Sequence, residues 1–104
     1  MRYCQLALTC KDKTEASSIA SVLIKKRLVA CAKLLPVSSD FVWKGQVEHS
    51  EEILLVMDSR EDLFDEIEAE VKSLHSYETF VLQAVPMLKI SEAAQKWLEE
   101  SLKA

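Results

Sequence analysis

Cys10 and His75 are the two side chains whose types best suit metal chemistry. A thiolate favours soft Cu(I), and imidazole accepts copper in either oxidation state, whereas magnesium and calcium prefer oxygen donors. Both residues fall at ends of regular segments, where loops meet and functional groups collect. Each also has a packing explanation: Cys10 as a small buried hydrophobe, His75 as a helix C-terminal residue favoured by the dipole. Two donors rarely complete a site, and Leu74 beside His75 cannot ligate, so a third ligand must come from elsewhere. His49, among Glu48, Glu51 and Glu52, reads as part of a solvated charged turn. Cys31 lies in an apolar run and reads as core. Trp43, Tyr77 and Glu78 supply aromatic surface and a carboxylate for a ligand cleft between subunits, or serve as interface anchors. No Gly-rich phosphate loop, G-x-S-x-G elbow or H-E-x-x-H helix is present, so no catalytic residues are assigned and a non-enzymatic role is expected.

The elements that must position these residues follow from changes of apolar period. Cys4, Leu6, Leu8 and Cys10 alternate with other residues over Arg2 to Cys10, the period of a strand. Asp12 and Glu15 form a capping-box variant that opens a helix carrying Ala16, Ile19, Ala20 and Leu23, with an end expected near Leu28. The apolar run Leu28 to Leu35 follows, then an irregularity at Pro36, Ser38 and Ser39, and a β-rich stretch from Phe41 to a turn at Lys44-Gly45. A long strand is expected over Gln46 to Met57. Ser59 is then expected to cap a helix whose face carries Leu63, Phe64, Ile67, Val71 and Leu74. A fourth strand over Tyr77 to Val85, ended by Pro86, and an amphipathic helix around Ala94, Trp97, Leu98 and Leu102 complete the chain. The expected class is α+β, a ferredoxin-like βαββαβ sandwich with an extra C-terminal helix, in one domain spanning residues 1–104.

Ile53 to Met57, Leu28 to Ala32 and Phe80 to Leu82 are apolar on both pleat faces, as in strands covered on both sides. The helices of a split βαβ sheet cover only one face, so identical subunits are expected to cover the other. With 49% apolar residues, one Gly and two Pro in 104, the chain is built for an ordered core. The formal net charge is -4 with scattered Lys and Arg, which argues against a nucleic-acid partner. No apolar run is long enough to span a bilayer and no signal-peptide order opens the chain, so a cytoplasmic protein without a membrane partner is expected. Cys4, Cys10 and Cys31 have no C-x-x-C spacing and are expected to stay reduced.

Leu28-Val29-Ala30-Cys31, Leu35-Pro36, Trp43-Lys44-Gly45 and His75-Ser76-Tyr77-Glu78 fall in an order and spacing that resembles the CutA divalent-cation-tolerance family. Thr9-Cys10 and the capped helix after it resemble the family's first strand-to-helix junction, so the likeness spans nearly the whole chain. The resemblance implies a ferredoxin-like homotrimer, similar to PII-type signalling proteins, with clefts at subunit boundaries. It implies a role in divalent-cation tolerance with no required cofactor, copper being the candidate metal. The alternative is a PII-like sensor holding a small molecule in the clefts. Several signature positions differ: Asp58 and Ser59 replace a Lys-Thr pair, Ser76 and Phe80 replace prolines, Val81 replaces an acidic residue and Phe41 a tyrosine. Loss of the lysine at 58 and the carboxylate at 81 together is the pattern of a charge pair removed as a unit.

Overall fold

Alternation in the first strand sets the core: Cys4, Leu6, Leu8 and Cys10 are all buried on one face of β1 (Tyr3–Cys10). The computed structural model describes residues 2–104. After β1 come α1 (Lys13–Lys25), β2 (Cys31–Trp43), β3 (Gln46–Arg60), a single 3₁₀ turn (Glu61–Leu63), α2 (Phe64–Leu74), β4 (Leu82–Pro86) and α3 (Glu92–Ser101). The strands form one antiparallel sheet in the order β2-β3-β1-β4. This is the β-α-β-β-α-β order read from the sequence, with the further helix at the end. The buried faces of the helices meet Leu6, Leu8, Leu55 and Met57 through Ile19, Leu23, Ile67, Val71 and Leu98. Each such side chain contributes about 1.5–3 kcal/mol on full burial.

Asp12 caps α1 as expected, the Glu15 amide donating to its Oδ1 at 2.8 Å, but the Glu15 side chain accepts from the Lys11 amide and not from that of Asp12, so the box is half formed. The helix ends earlier than the sequence suggests, because Arg27 adopts φ 59°. The Leu28 amide then bonds the Leu23 carbonyl, and the Arg27 amide bonds that of Ile24. This is a Schellman closure with arginine where glycine is usual. The Arg27 guanidinium donates to the Glu100 and Ser101 carbonyls, closing the open end of α3 and holding this residue in its unfavourable conformation.

Beyond the end of α1, three boundaries differ from expectation. Pro36, Ser38 and Ser39 do not interrupt β2; that strand lies at the sheet edge, where a missing N–H costs nothing, and Pro36 simply pairs with Ile53. Ser59 is not a helix cap. It continues β3, and its hydroxyl donates to the Leu28 carbonyl at 2.6 Å, fastening the buried turn after α1. Tyr77 to Val81 is not strand but an irregular loop, and pairing begins at Leu82. Trp97 is half-exposed rather than on the core face of α3, where Leu98 and Leu102 take that place.

Lys44 and Gly45 form a two-residue hairpin turn with φ 50° and 78°. Two positive φ values in succession match the right-handed twist of the strands. A Cβ at Gly45 would meet no atom within 4 Å, so only the backbone conformation is at stake there. Gly45→Val is therefore expected to cost about 1–2 kcal/mol, the penalty of a left-handed L-residue, without a steric clash. Urea unfolding checks it, and an unchanged midpoint would show that the turn relaxes into another geometry.

The second face of the sheet is not covered by helices. Ala7, Leu54 and Val56 lie there by register, flanked by Leu35 at 45% and Val85 at 59% exposure. By the same register Val42 and Val47, paired in the hairpin and 72% and 81% exposed, lie on the other, helix-side face. Asp58, on the open face with Leu54 and Val56, has a partner of its own: its carboxylate lies 3.8 Å from the Lys33 ammonium.

Candidate functional site

The end of β1, the first turn of α1 and the residue after α2 meet in one place. There Cys10, Glu15 and His75 bring their ligating atoms within 4.8 Å of one another. β1 delivers Cys10 because alternation points it into the core, where it has no exposure. Glu15 is delivered by the capping box that starts α1. His75 is the C-cap of α2, its amide bonded to the Val71 carbonyl at 2.8 Å. Both the His75 and Glu15 side chains are withdrawn from solvent.

The hydrogen bonds fix the imidazole. Nε2–H donates to the Thr9 carbonyl at 2.9 Å, and Nδ1 accepts from the Tyr77 amide at 3.1 Å. That pattern makes the ring a neutral Nε2–H tautomer with its lone pair on Nδ1, which lies 3.7 Å from Glu15 Oε1. Ligating histidines commonly donate their far N–H to a backbone carbonyl in this way. The rings of Tyr77 and Phe80 pack on His75 at centroid distances of 4.8 and 5.5 Å. Phe80 thus closes the pocket by stacking on the imidazole.

Glu15 ties the site together. Its Oε1 accepts from the Lys11 amide at 3.2 Å and its Oε2 from the Ser76 amide at 3.0 Å. Burial pushes its carboxyl up, but hydrogen bonds from Ser76 and from the Lys11 amide hold it below the usual carboxylate range. Glu15 is therefore an anion in a dry setting. Burial first, and then Glu15, Asp12 and Glu52, push the Cys10 thiol up to about 12, so it carries its proton at neutral pH. A metal binding here must displace that proton, which metals do for coordinating thiols.

Beside this cluster Tyr77 donates its hydroxyl to the buried Glu52 carboxylate at 2.5 Å, and burial followed by Glu52 pushes the phenol well up. Tyr77 also borders a cleft of about 500 Å³ with Trp43, Glu78, Phe41, Glu48 and His49. The structure therefore brings the three cleft residues expected from the sequence to one opening. His49 is exposed and bonded through both ring nitrogens to Asp40 and Glu51, at 2.7 and 2.9 Å, which push its pKa up. It is a solvated charged turn, as read from the sequence. Cys31 departs from the core reading: it is half-exposed, and the Lys33 ammonium lies 3.4 Å from its sulfur.

Glu15 and Glu52 were not read as site residues from the sequence. Glu15 had a signal, its place in the capping box, but its bond to Ser76 spans 61 residues. Glu52 had none, being one of several hairpin acids.

The family model described as CutA1 divalent ion tolerance protein matches residues 4–101. The divalent-cation tolerance protein CutA of Archaeoglobus fulgidus is 33% identical over 95 residues, covering 91% of this chain and 93% of the relative. The corresponding protein of Pyrococcus horikoshii is 32% identical with the same coverage. In solved structures, the periplasmic divalent cation tolerance protein CutA of A. fulgidus superposes with a TM-score of 0.94 at 31% identity, covering 97% of this chain and 99% of that one. CutA1 of Oryza sativa gives 0.95 at 27% identity, with 99% and 95% covered.

Proposed function

This chain belongs to the CutA1 divalent ion tolerance family, and from that premise we propose that it is a non-enzymatic homotrimer contributing to divalent-cation tolerance, with copper held at Cys10, Glu15 and His75. One observation carries the metal reading: a sulfur, an imidazole nitrogen and a carboxylate oxygen within 4.8 Å of one another. The donor set fits the metal. Sulfur and imidazole suit Cu(I), and the carboxylate and imidazole suit Cu(II). The Thr9 carbonyl fixes the tautomer that leaves Nδ1 free of a proton. When bound, copper would supply a soft Lewis-acid centre. The chain's own part is to give up the Cys10 proton and the Tyr77 bond to His75 Nδ1. The trimer is supported by the apolar sheet face that no helix covers. A cytoplasmic setting belongs to the same reading and is motivated by three free cysteines. No helix among the described residues is long and apolar enough to cross a membrane.

Anaerobic competition against a Cu(I) chelator tests the site. Cys10→Ser and His75→Ala should each weaken binding by more than about tenfold, the loss that removal of even an outer-shell partner causes. Magnesium and calcium should not compete. Equal affinities in wild type and both variants would dismiss the site.

A second reading, a PII-like sensor that takes a small molecule in its clefts, is favoured by the opening bounded by Trp43, Tyr77 and Glu78. Its volume of about 500 Å³ and its mixture of aromatic walls with a few polar groups are those of a small-ligand site.

A further inference from the structure

The cleft at the base of the hairpin turn has a consistent chemistry. Its walls include the rings of Phe41, Trp43 and Tyr77, and its acidic groups are Glu48 and Glu78. The basic side chain in its lining is His49, and that charge is already matched on both nitrogens by Asp40 and Glu51. Aromatic faces beside carboxylates attract cations, because the ring quadrupole and the anion act on the same charge. The chain itself provides an example. The Lys44 ammonium lies 5.5 Å from the centroid of the Trp43 ring and 3.9 Å from Glu78 Oε2. Lys44 reaches this position from the hairpin turn with its side chain largely exposed, so it can be displaced without disturbing the core.

We propose that the cleft binds a small organic ammonium ion with an apolar body, its charged group taking the place between Trp43 and Glu78 that Lys44 fills in the free chain. This rests on the cleft reading of the protein and is independent of the copper site. Lys44 then acts as an internal competitor. The aromatic walls receive the hydrocarbon part of the ligand, and Glu48 offers a second acidic anchor for a diamine.

The test uses Trp43 fluorescence in a Trp97→Phe background, with the indole N–H resonance of Trp43 in the unaltered chain as a second readout. The probes are benzylamine, benzyltrimethylammonium, benzyl alcohol and benzoate. Both cations should bind saturably, and the alcohol and benzoate at least about tenfold more weakly. Lys44→Met should tighten binding of the cations, and Glu78→Gln weaken it, each by about two- to fivefold, the size of one exposed cation–aromatic or ion-pair contact. If benzoate or benzyl alcohol bound as tightly as the amines, the ammonium assignment would fall while a ligand cleft remained. No response to any probe at millimolar concentration would overturn both. Unchanged cation affinity in Lys44→Met would also overturn it, since the resident ammonium would then not occupy the binding position.

Discussion

Leu35→Asp is expected to turn a trimer into a folded monomer, with scattering mass falling from three chains to one at micromolar concentration. Leu35 stands on edge strand β2, directly opposite Leu54, on the sheet face that the helices leave open. At 45% exposure it contributes little to the subunit's own core. An aspartate there should leave the far-ultraviolet circular dichroism unchanged. In a closed trimer the same residue recurs three times, and desolvating an unpaired carboxylate costs several kcal/mol per copy. A loss of that size exceeds about a hundredfold in association per contact. The wild-type unfolding midpoint should rise with protein concentration and the variant's should not, because only association links stability to mass action. A wild type that scatters as a monomer, or a variant that remains trimeric, would remove the open face as the assembly surface.

Glu15→Ala is expected to destabilise the protein by about 3 kcal/mol, through loss of charge-assisted bonds and two amides left without their acceptor. The carboxylate accepts from the Lys11 and Ser76 amides and sits 3.7 Å from His75, so one side chain joins β1, α1 and the loop after α2. A loss of this size corresponds to roughly 10 °C or more in Tm for a domain of about this length. Glu15→Gln keeps one acceptor oxygen but brings an N–H toward one amide, and should fall between the two. The pH dependence has a definite sign. The folded-state pKa lies below the ordinary value, so the stabilisation is complete above the unfolded glutamate value of about 4.3 and is lost as pH falls through the lowered value. The gap between wild type and Glu15→Gln should therefore be widest at neutral pH and narrow in acid. A gap that grew as pH fell, or an alanine variant within about 0.5 kcal/mol of wild type, would contradict this role.

Much of the fold was legible because its signals are local. Alternation from Cys4 to Cys10 identifies a strand and its core face together, since successive side chains point to opposite sides. Asp12 and Glu15 mark a helix start within four residues, and Lys44-Gly45 marks the hairpin. Of the three runs apolar on both faces, Ile53 to Met57 is strand throughout, whereas Leu28 to Ala30 form the turn after α1 and Phe80 and Val81 a loop. Cys10 and His75 stood out by donor chemistry, and Trp43, Tyr77 and Glu78 by their types, before any contact among them was visible.

What the sequence by itself determined was therefore each element's type and which side chains carry useful chemistry. The tertiary structure decided which of them meet, and with what charge. Ser59 has the composition of a helix cap, yet the antiparallel register with β1 extends β3 to Arg60 and turns its hydroxyl to the Leu28 carbonyl. Tyr77 to Val81 has β-rich composition, yet Tyr77 is held by Glu52 across 25 residues and His75 by Thr9 across 66, which keeps the segment out of the sheet. Glu15 looked like a capping residue and became the acidic member of the site only when α2 set Ser76 and His75 against it. Periodicity reports the backbone's local preference and the side that must avoid water. A buried polar group's partner, and hence its ionisation, is set by whichever distant segment packing brings within hydrogen-bond reach.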